Sequence, residues 1–136
     1  MKKSFCLLLS VFLFFSCKEE PLPEVWSTFV LQNVTLHTVK IKMYSQNEKE
    51  LSIQLSPNDT CQFNYFSHEP SPYRWPLDDY DSLDIEQGSD VYRYKYKDHT
   101  GPFDMQNYLP IDTIVEKSKK KCDFYRYTFM YNIEIN

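Results

Sequence analysis

Glycine is scarce in this chain: only Gly88 and Gly101 occur among its 136 residues. Loops that cradle phosphate groups need several glycines, because the backbone must approach the ligand closely. The scarcity therefore argues against a nucleotide-binding loop.

Catalytic and metal-binding patterns are also missing. The histidines, His37, His68 and His99, are far apart in the chain, and no cysteines have the close spacing of a metal site. No Gly-x-Ser-x-Gly nucleophile elbow is present. We therefore expect no catalytic residues, no metal and no cofactor, and a hydrolase is the most remote alternative.

Positive charge is in the minority, with 15 Lys and Arg against 19 Asp and Glu and a formal net charge of −4. If Lys2 and Lys3 are removed with the N-terminal signal that the next paragraph describes, the formal net charge changes from −4 to −6. Such a chain has no electrostatic footprint for nucleic acid. It also gives no reason to expect the folded part to lie flat on an anionic membrane.

The N-terminal segment carries the longest apolar run. Lys2 and Lys3 give it a positive start, and the run from Phe5 to Phe15 is interrupted only by Ser10. At about 1.5 Å per residue, this run is too short for the roughly 30 Å of hydrocarbon that a spanning helix must cross. The layout is typical of a secretory signal that is removed from the mature protein.

Ser16-Cys17 closes this segment and resembles the lipobox of bacterial lipoproteins. The resemblance implies that the signal is cleaved before Cys17, that the Cys17 thiol carries a diacylglycerol, and that the new amine is acylated. Phe14 and Phe15 are similar to the residues at this place in Bacteroidetes lipoproteins. Two or three long acyl chains, at about 0.8 kcal/mol per buried methylene, would hold a small domain on a membrane. The alternative is an ordinary free or buried cysteine after a cleaved signal.

Lys18, Glu19 and Glu20 resemble the surface-export signal of Bacteroidetes lipoproteins, a lysine and two acids directly after the lipidated cysteine. The resemblance implies a domain that is anchored in the outer membrane and faces out of the cell; the alternative is a solvated charged tether. Extended at about 3.1 Å per residue, the tether up to Glu24 reaches roughly 20 Å. The predicted division is signal 1–16, lipidated cysteine and tether 17–25, and one domain 26–136.

Alternation of apolar and polar residues dominates the chain from Trp26 onward, with almost no helical stretch. The predicted strands are Thr28–Asn33, Thr38–Ser45, Leu51–Leu55, Thr60–Phe66, Ser82–Glu86, Val91–Lys97 and a last strand from Tyr125 to Ile135. Asp98–Lys121 is predicted as irregular and ends in a solvated, lysine-rich loop. About seven short strands predict an all-β fold, a single sandwich of two antiparallel sheets. A closed barrel is the alternative.

Three segments, Leu31–Ile41, Asp81–Ile85 and Tyr125–Phe129, resemble parts of small Bacteroides-type outer-membrane lipoproteins. The likeness spans most of the mature chain through short patterns. It implies an immunoglobulin-like sandwich on the cell envelope, and it assigns no activity and no functional residues.

The proline-rich loop between the fourth and fifth predicted strands is the main candidate for ligand binding. Tyr73, Arg74 and Trp75, with Pro76 and Tyr80, combine rigid aromatic faces with a hydrogen-bonding cation. Such residues are enriched at protein contacts, aromatic faces also stack on sugars, and prolines preorganise a surface. The pattern indicates a glycan or an envelope protein as ligand. The alternative is that the rings close one end of the sandwich as a small core.

An acidic cluster follows this loop. Calcium needs several converging oxygen ligands, but Leu83 stands where the next ligand after Asp79 and Asp81 should be. A solvated loop that runs into a strand is the preferred interpretation. The cluster comprises Asp78, Asp79, Asp81, Asp84, Glu86 and Asp90.

Cys61 and Cys122 remain for a disulfide once Cys6 leaves with the signal and Cys17 carries lipid. An exported compartment permits such a bond, and closing a loop of about sixty residues could contribute roughly 4 kcal/mol. Cys61 shares a strand face with Phe63, whereas Cys122 is out of phase with the inward face of the last strand. Two separate thiols are therefore the other interpretation.

Asp81-Ser82-Leu83 and Asp112-Thr113-Ile114 resemble the three-residue O-glycosylation signal of exported Bacteroidetes proteins, which implies Ser82 and Thr113 as modification sites.

These features predict a lipid-anchored, surface-exposed outer-membrane lipoprotein that acts as a binding or structural module and is not an enzyme. The alternative is a periplasm-facing accessory subunit of an envelope complex.

Overall fold

Eight β-strands make up most of the regular structure. The computed structural model describes residues 21–46, 50–68, 76–117 and 123–135. The strands are β1 (Glu24–Asn33), β2 (Val39–Tyr44), β3 (Glu50–Leu55), β4 (Thr60–Ser67), β5 (Ser82–Gln87), β6 (Asp90–Lys95), β7 (Leu109–Glu116) and β8 (Phe124–Ile133). One-turn 3-10 helices at Tyr96–Asp98, Gly101–Phe103 and Met105–Asn107 join β6 to β7. Within these ranges no helix has the length and apolar character needed to cross a bilayer.

The strands form two four-stranded sheets, and the predicted all-β sandwich is confirmed. Sheet A has the order β4-β1-β8-β7, and sheet B has the order β3-β2-β5-β6. The prediction of purely antiparallel sheets is wrong at one place, because β1 and β8 run parallel. A parallel pair needs a long connection between its strands, and here most of the domain lies between them. The alternation of apolar and polar residues within β1 or β8 could not reveal that these two strands pair.

β7 lies in the stretch Asp98–Lys121, so the prediction of an irregular segment is wrong for these residues. It adds an eighth strand to the seven that the alternation predicts. β7 is an edge strand of sheet A, and its register with β8 shifts between Pro110 and Asp112. Nearly all of its side chains are exposed. A strand without a buried face lacks the alternation that marks the other strands.

β1 begins at Glu24 and therefore includes residues that the sequence assigns to the tether. Val25 is 1% exposed and belongs to the core, which corrects the predicted boundary of 17–25. The Glu24 amide donates a hydrogen bond of 2.8 Å to the Asp123 carbonyl, next to the start of β8. Pairing with β8 thus draws the end of the tether into the sheet.

The core lies between the inner faces of the two sheets. In β2, Val39, Ile41 and Met43 are fully buried, as the alternation predicts. Phe29 of β1 is the centre of an aromatic cluster in sheet A and is also fully buried. Its ring centroid lies 5.7 Å from that of Tyr65, 5.3 Å from that of Tyr108 and 5.6 Å from that of Phe129.

β1 defines the two ends of the sandwich. At the entry end, where β1 begins, Ser67 of β4 and Phe124 of β8 pair with its first residues. At the far end, Thr60 of β4 and Ile133 of β8 pair with its last residues. Nine steps of about 3.3 Å along β1 separate the two ends by about 30 Å.

Candidate binding site

The predicted ligand-binding loop is only partly described. Tyr73, Arg74 and Trp75 lie outside the described residues. Pro76 and Leu77, which follow them, are buried, and Leu77 is held in the core at a φ of 59°. This left-handed backbone conformation is rare for a bulky residue. The end of the loop is therefore fixed by packing.

Tyr80, the last residue of that predicted site, packs against the margin of the core. Its ring meets Phe63 edge-on, with 6.2 Å between centroids. Burial, together with the charge of Asp79, raises the pKa of the Tyr80 hydroxyl. For this ring the structure favours the small-core alternative over a freely presented binding face.

The far end carries a loop between β1 and β2 that is organised by one buried side chain, Asn33. The Asn33 side-chain amide nitrogen donates to the carbonyls of His37, at 2.8 Å, and Leu55, at 3.0 Å. Its oxygen accepts from the amide of Thr35, at 3.0 Å, and from the Thr35 hydroxyl, at 2.7 Å. The Asn33 backbone carbonyl also accepts from the Asn58 amide, at 2.8 Å. These bonds hold the loop against the neighbouring turn.

The tip of this loop presents apolar side chains to solvent. Leu36 is 88% exposed and Val34 is 39% exposed. Between them, Thr35 is tied back to Asn33, and its hydroxyl oxygen lies 2.9 Å from the His37 carbonyl, an alternative acceptor for the same proton. An exposed leucine on a loop that is already fixed loses little conformational freedom when it is covered, which is a favourable starting point for binding.

Two adjoining clefts flank this tip and share Glu134. One has a volume of about 440 Å³ and is lined by Val34, Thr35, Leu36, His37, Gln87, Glu134 and Ile135. The other has a volume of about 420 Å³ and is lined by Asn107, Leu109, Tyr131, Asn132 and Glu134. Both volumes are in the range of known small-ligand sites. Most of the lining side chains can form hydrogen bonds.

Asn132 and Tyr131 give the second cleft specific polar character. The side-chain oxygen of Asn132 is buried and has no hydrogen-bond partner among the described residues. Burial raises the pKa of the Tyr131 hydroxyl well above its usual range, and a hydrogen bond with Tyr94 contributes. Tyr131 therefore stays neutral as a hydrogen-bonding group, and the Asn132 oxygen is a buried, unsatisfied acceptor at the margin of this cleft.

One member of the acidic cluster, Asp84, is buried and paired with a largely exposed arginine, whereas Asp79, Asp81 and Asp90 are exposed. Asp84 is 3% exposed and accepts two hydrogen bonds of 2.7 Å from Arg93. The interpretation of a solvated segment is therefore wrong for Asp84, because the side chains of the neighbouring strands cover it. Lys42 and Glu86 form a second pair nearby at 2.6 Å. In the described part of the chain, no group of three or more His, Cys, Asp or Glu residues could hold a metal ion.

Cys61 is a half-buried free thiol on β4, opposite Leu31. Cys122 lies outside the described residues. Its neighbour Asp123 accepts a hydrogen bond from the Glu24 amide. Glu24 lies seven positions before Leu31 on β1, so Asp123 is about 23 Å from the residue opposite Cys61. A disulfide joins α-carbons within about 7 Å. Since Cys122 is adjacent to Asp123, we expect Cys61 and Cys122 to remain separate thiols.

The remaining predicted site residues are placed as follows. Ser82 is half-buried at the start of β5, and Thr113 is exposed on β7. The predicted lipid-bearing Cys17 and the export residues Lys18, Glu19 and Glu20 lie outside the described residues.

The far-end loop is a site that sequence reasoning missed. A signal was present, because Asn33 followed by Thr35 has the spacing of an Asx turn, in which the side chain bonds the backbone two residues on. Leu36, an apolar residue in an otherwise polar turn, was a second signal. Neither shows by itself that Asn33 also reaches Leu55 on another strand.

Comparison of the chain with protein families, with curated proteins and with solved structures found no match.

Proposed function

We propose that this protein is a lipid-anchored lipoprotein of the outer membrane, exposed at the cell surface, whose far end recognises a partner. The anchor part of the proposal rests on the signal-like segment, on Ser16-Cys17 and on Lys18-Glu19-Glu20. The folded domain begins at Glu24, only seven residues after Cys17. An acylated Cys17 would therefore hold the entry end within about 20 Å of the bilayer.

One observation carries the recognition part. The loop that Asn33 holds in place, with Leu36 at its tip, lies at the opposite end of β1 from the tether. An anchor at Cys17 would therefore present this loop about 30 Å beyond the entry end. A preorganised loop at that distance from the membrane is well placed to meet a partner.

The surroundings of Leu36 favour a protein partner. An exposed apolar tip bordered by hydrogen-bonding side chains resembles the anatomy of protein interfaces, which have an apolar centre and a polar rim. His37, Gln87 and Glu134 supply such a border on one side. The partner would be an envelope protein or an extracellular protein with an apolar pocket for Leu36.

The adjoining clefts favour a glycan as the second candidate. Asn107, Asn132 and Glu134 are side chains of the kind that bind sugar hydroxyls, and the Asn132 oxygen lacks a partner among the described residues. A glycan array with Asn132→Ala and Glu134→Gln variants tests this candidate. Binding of a defined glycan that both variants lose would replace the protein partner by a sugar.

The anchor is tested by metabolic labelling with a fatty acid. We expect label on the wild-type chain and none on Cys17→Ala. An unlabelled wild-type chain released into the medium would overturn the anchor. Protease treatment of intact cells then separates the orientations, since a periplasm-facing accessory subunit would survive and a surface-exposed domain would be cleaved.

The recognition site is tested by photo-crosslinking on intact cells. A photoreactive amino acid replaces Leu36 in one variant and Val115, which is 47% exposed on β7, in the matched control. We expect a discrete adduct at position 36 and none at position 115. Absence of an adduct at 36, with no glycan bound on the array, would remove the far end from consideration.

A further inference from the structure

The outer face of sheet A carries an exposed aromatic cluster at the entry end. Trp26 of β1 pairs with Phe66 of β4, their ring centroids lie 4.9 Å apart, and the residues are 38% and 41% exposed. His68 meets the edge of Phe66 at 4.8 Å. We call Trp26, Phe66 and His68 the entry-end aromatic patch. Large rings on the outside of a sheet bury no core surface, so the core does not explain them.

The tether leaves the domain beside this patch. A ring nitrogen of His68 lies 3.3 Å from the carbonyl oxygen of Pro23, within hydrogen-bonding distance. Leu22, the residue before it, is 64% exposed. Only six residue steps separate Pro23 from Cys17, which is about 20 Å of extended chain. A lipid at Cys17 therefore keeps the patch close to the bilayer surface and makes its contact with that surface intramolecular.

The chemistry of the patch matches the interface of a bilayer. Tryptophan combines a large apolar ring with one polar N–H, and it concentrates at the level of the lipid headgroups. Arg126 pairs with Trp26 on the other side and stacks over the Phe124 ring at 5.4 Å. Its guanidinium is placed to reach lipid phosphates while the neighbouring rings reach the acyl boundary.

The charged side chains around the patch indicate whether it contacts an anionic or a zwitterionic lipid surface. Glu24 and Glu116 flank Phe124 in the neighbouring row of the same sheet. Among the described residues, Arg126 on β8 and Lys117, which directly follows β7, balance these two carboxylates. With local charges that cancel and a net charge of −6 for the chain without its signal, the described surface gives no electrostatic preference for an anionic bilayer. A zwitterionic surface carries no net charge to repel these carboxylates.

We propose that the entry-end aromatic patch seats the domain on the zwitterionic phospholipid interface beside its own anchor. This inference rests on the proposed lipid anchor at Cys17. The patch contributes orientation rather than attachment. It inclines sheet A toward the membrane at the entry end, so that the Leu36 tip points away from the bilayer.

Depth-dependent fluorescence quenching tests the inference. The chain has two tryptophans, so Trp75→Phe leaves Trp26 as the only indole. The full-length protein, purified with its lipid from membranes, is reconstituted in phosphatidylcholine vesicles with or without lipid brominated near the headgroup. We expect emission from Trp26 to be lower with brominated lipid than without it, because an indole at the headgroup level lies beside the bromine atoms. Phe66→Ser should reduce this quenching, and Leu36→Ser at the far end should leave it unchanged.

The outcomes separate the inference from the proposed anchor. Protein that carries fatty acid on Cys17 and floats with the vesicles, but whose Trp26 is not quenched, overturns the inference and leaves the anchor standing. Protein without fatty acid that does not float overturns the anchor. Trp26 that is unquenched in vesicles but shielded from acrylamide in native membranes would mean that a protein covers the patch, which also overturns the inference. The Cys17→Ala protein should show neither flotation nor quenching.

Discussion

Arg93 donates two parallel hydrogen bonds of 2.7 Å to the two carboxylate oxygens of Asp84 across the β5–β6 pair. Asp84 is 3% exposed, although it lies on the outward face of sheet B. Lys42 is its neighbour on the other side, in β2. A carboxylate that loses contact with water needs such partners, because an unpaired buried charge is strongly destabilising.

The Asp84–Arg93 pair predicts a pH-dependent stability. The hydrogen bonds from Arg93, together with its charge, hold the pKa of Asp84 below its usual range. The pair therefore stabilises the fold above the ordinary aspartate pKa of about 4, and this contribution is lost as the pH falls through the lower, folded-state pKa. Arg93→Met should lower the urea midpoint at pH 6, and the difference from wild type should shrink toward pH 3. Lys95→Met on the same strand is the control, and an Arg93→Met difference that does not change with pH would contradict the prediction.

Gly101 is expected to tolerate no side chain. Its φ is +57°, and an added Cβ would overlap the ring of Tyr94. Gly101→Ala should lower the free energy of unfolding by about 3 kcal/mol, of which about 1 kcal/mol is backbone strain and the rest overpacking. Gly88, at a φ of +62° with open space around it, is the matched control. Gly88→Ala should cost only the strain of about 1 kcal/mol. Equal urea-denaturation losses in both variants would mean that the Tyr94 ring simply moves aside.

Asn33 is expected to stabilise the fold through its side-chain hydrogen bonds. Asn33→Ala removes both donors to the carbonyls of His37 and Leu55, and it should cost about 2 kcal/mol in urea denaturation. The amide of Thr35 should also exchange its hydrogen faster, since it loses its acceptor. Asn64→Ala is the control, because its exposed bond to Thr28 should matter by less than about 0.5 kcal/mol. Unchanged exchange at Thr35 would show that the loop does not depend on Asn33.

Cys61 should be an unpaired thiol that reacts slowly with alkylating reagents. Burial raises its pKa to about 11, so little thiolate forms at neutral pH and alkylation of the folded protein should be slow. In denaturant without reductant, peptide mapping should find Cys61 and Cys122 alkylated separately. Recovery of a disulfide-linked peptide containing both residues would show that the pairing forms after all.

Strands with one buried face were predictable from sequence. Val39, Ile41 and Met43 alternate with polar residues, and all three are buried in β2. The strands β5 and β6 were also predicted, with bounds within two residues of those in the structure. In both cases the signal is contained in a few adjacent residues, because the side chains of a strand alternate between its faces.

The candidate binding site was predicted much less well. The aromatic residues from Tyr73 to Trp75 attracted the functional hypothesis, yet the described neighbours Leu77 and Tyr80 pack into or against the core. Leu36 and the clefts beside it became visible only when the ends of β1, β5 and β8 met. Their residues come from distant parts of the chain, and no spacing within one segment brings them together.

The all-β class and the inward faces of most strands follow from the sequence alone, because a period of two residues is a local property. Its N-terminal residues also contain the whole pattern from which a lipid anchor is expected. The folded structure was needed to show that β1 and β8 run parallel, that Asp84 is buried beneath Arg93 and that Asn33 reaches Leu55. Each of these depends on contacts between segments that are brought together by the packing of the two sheets, and a periodicity within one segment carries no information about its neighbour.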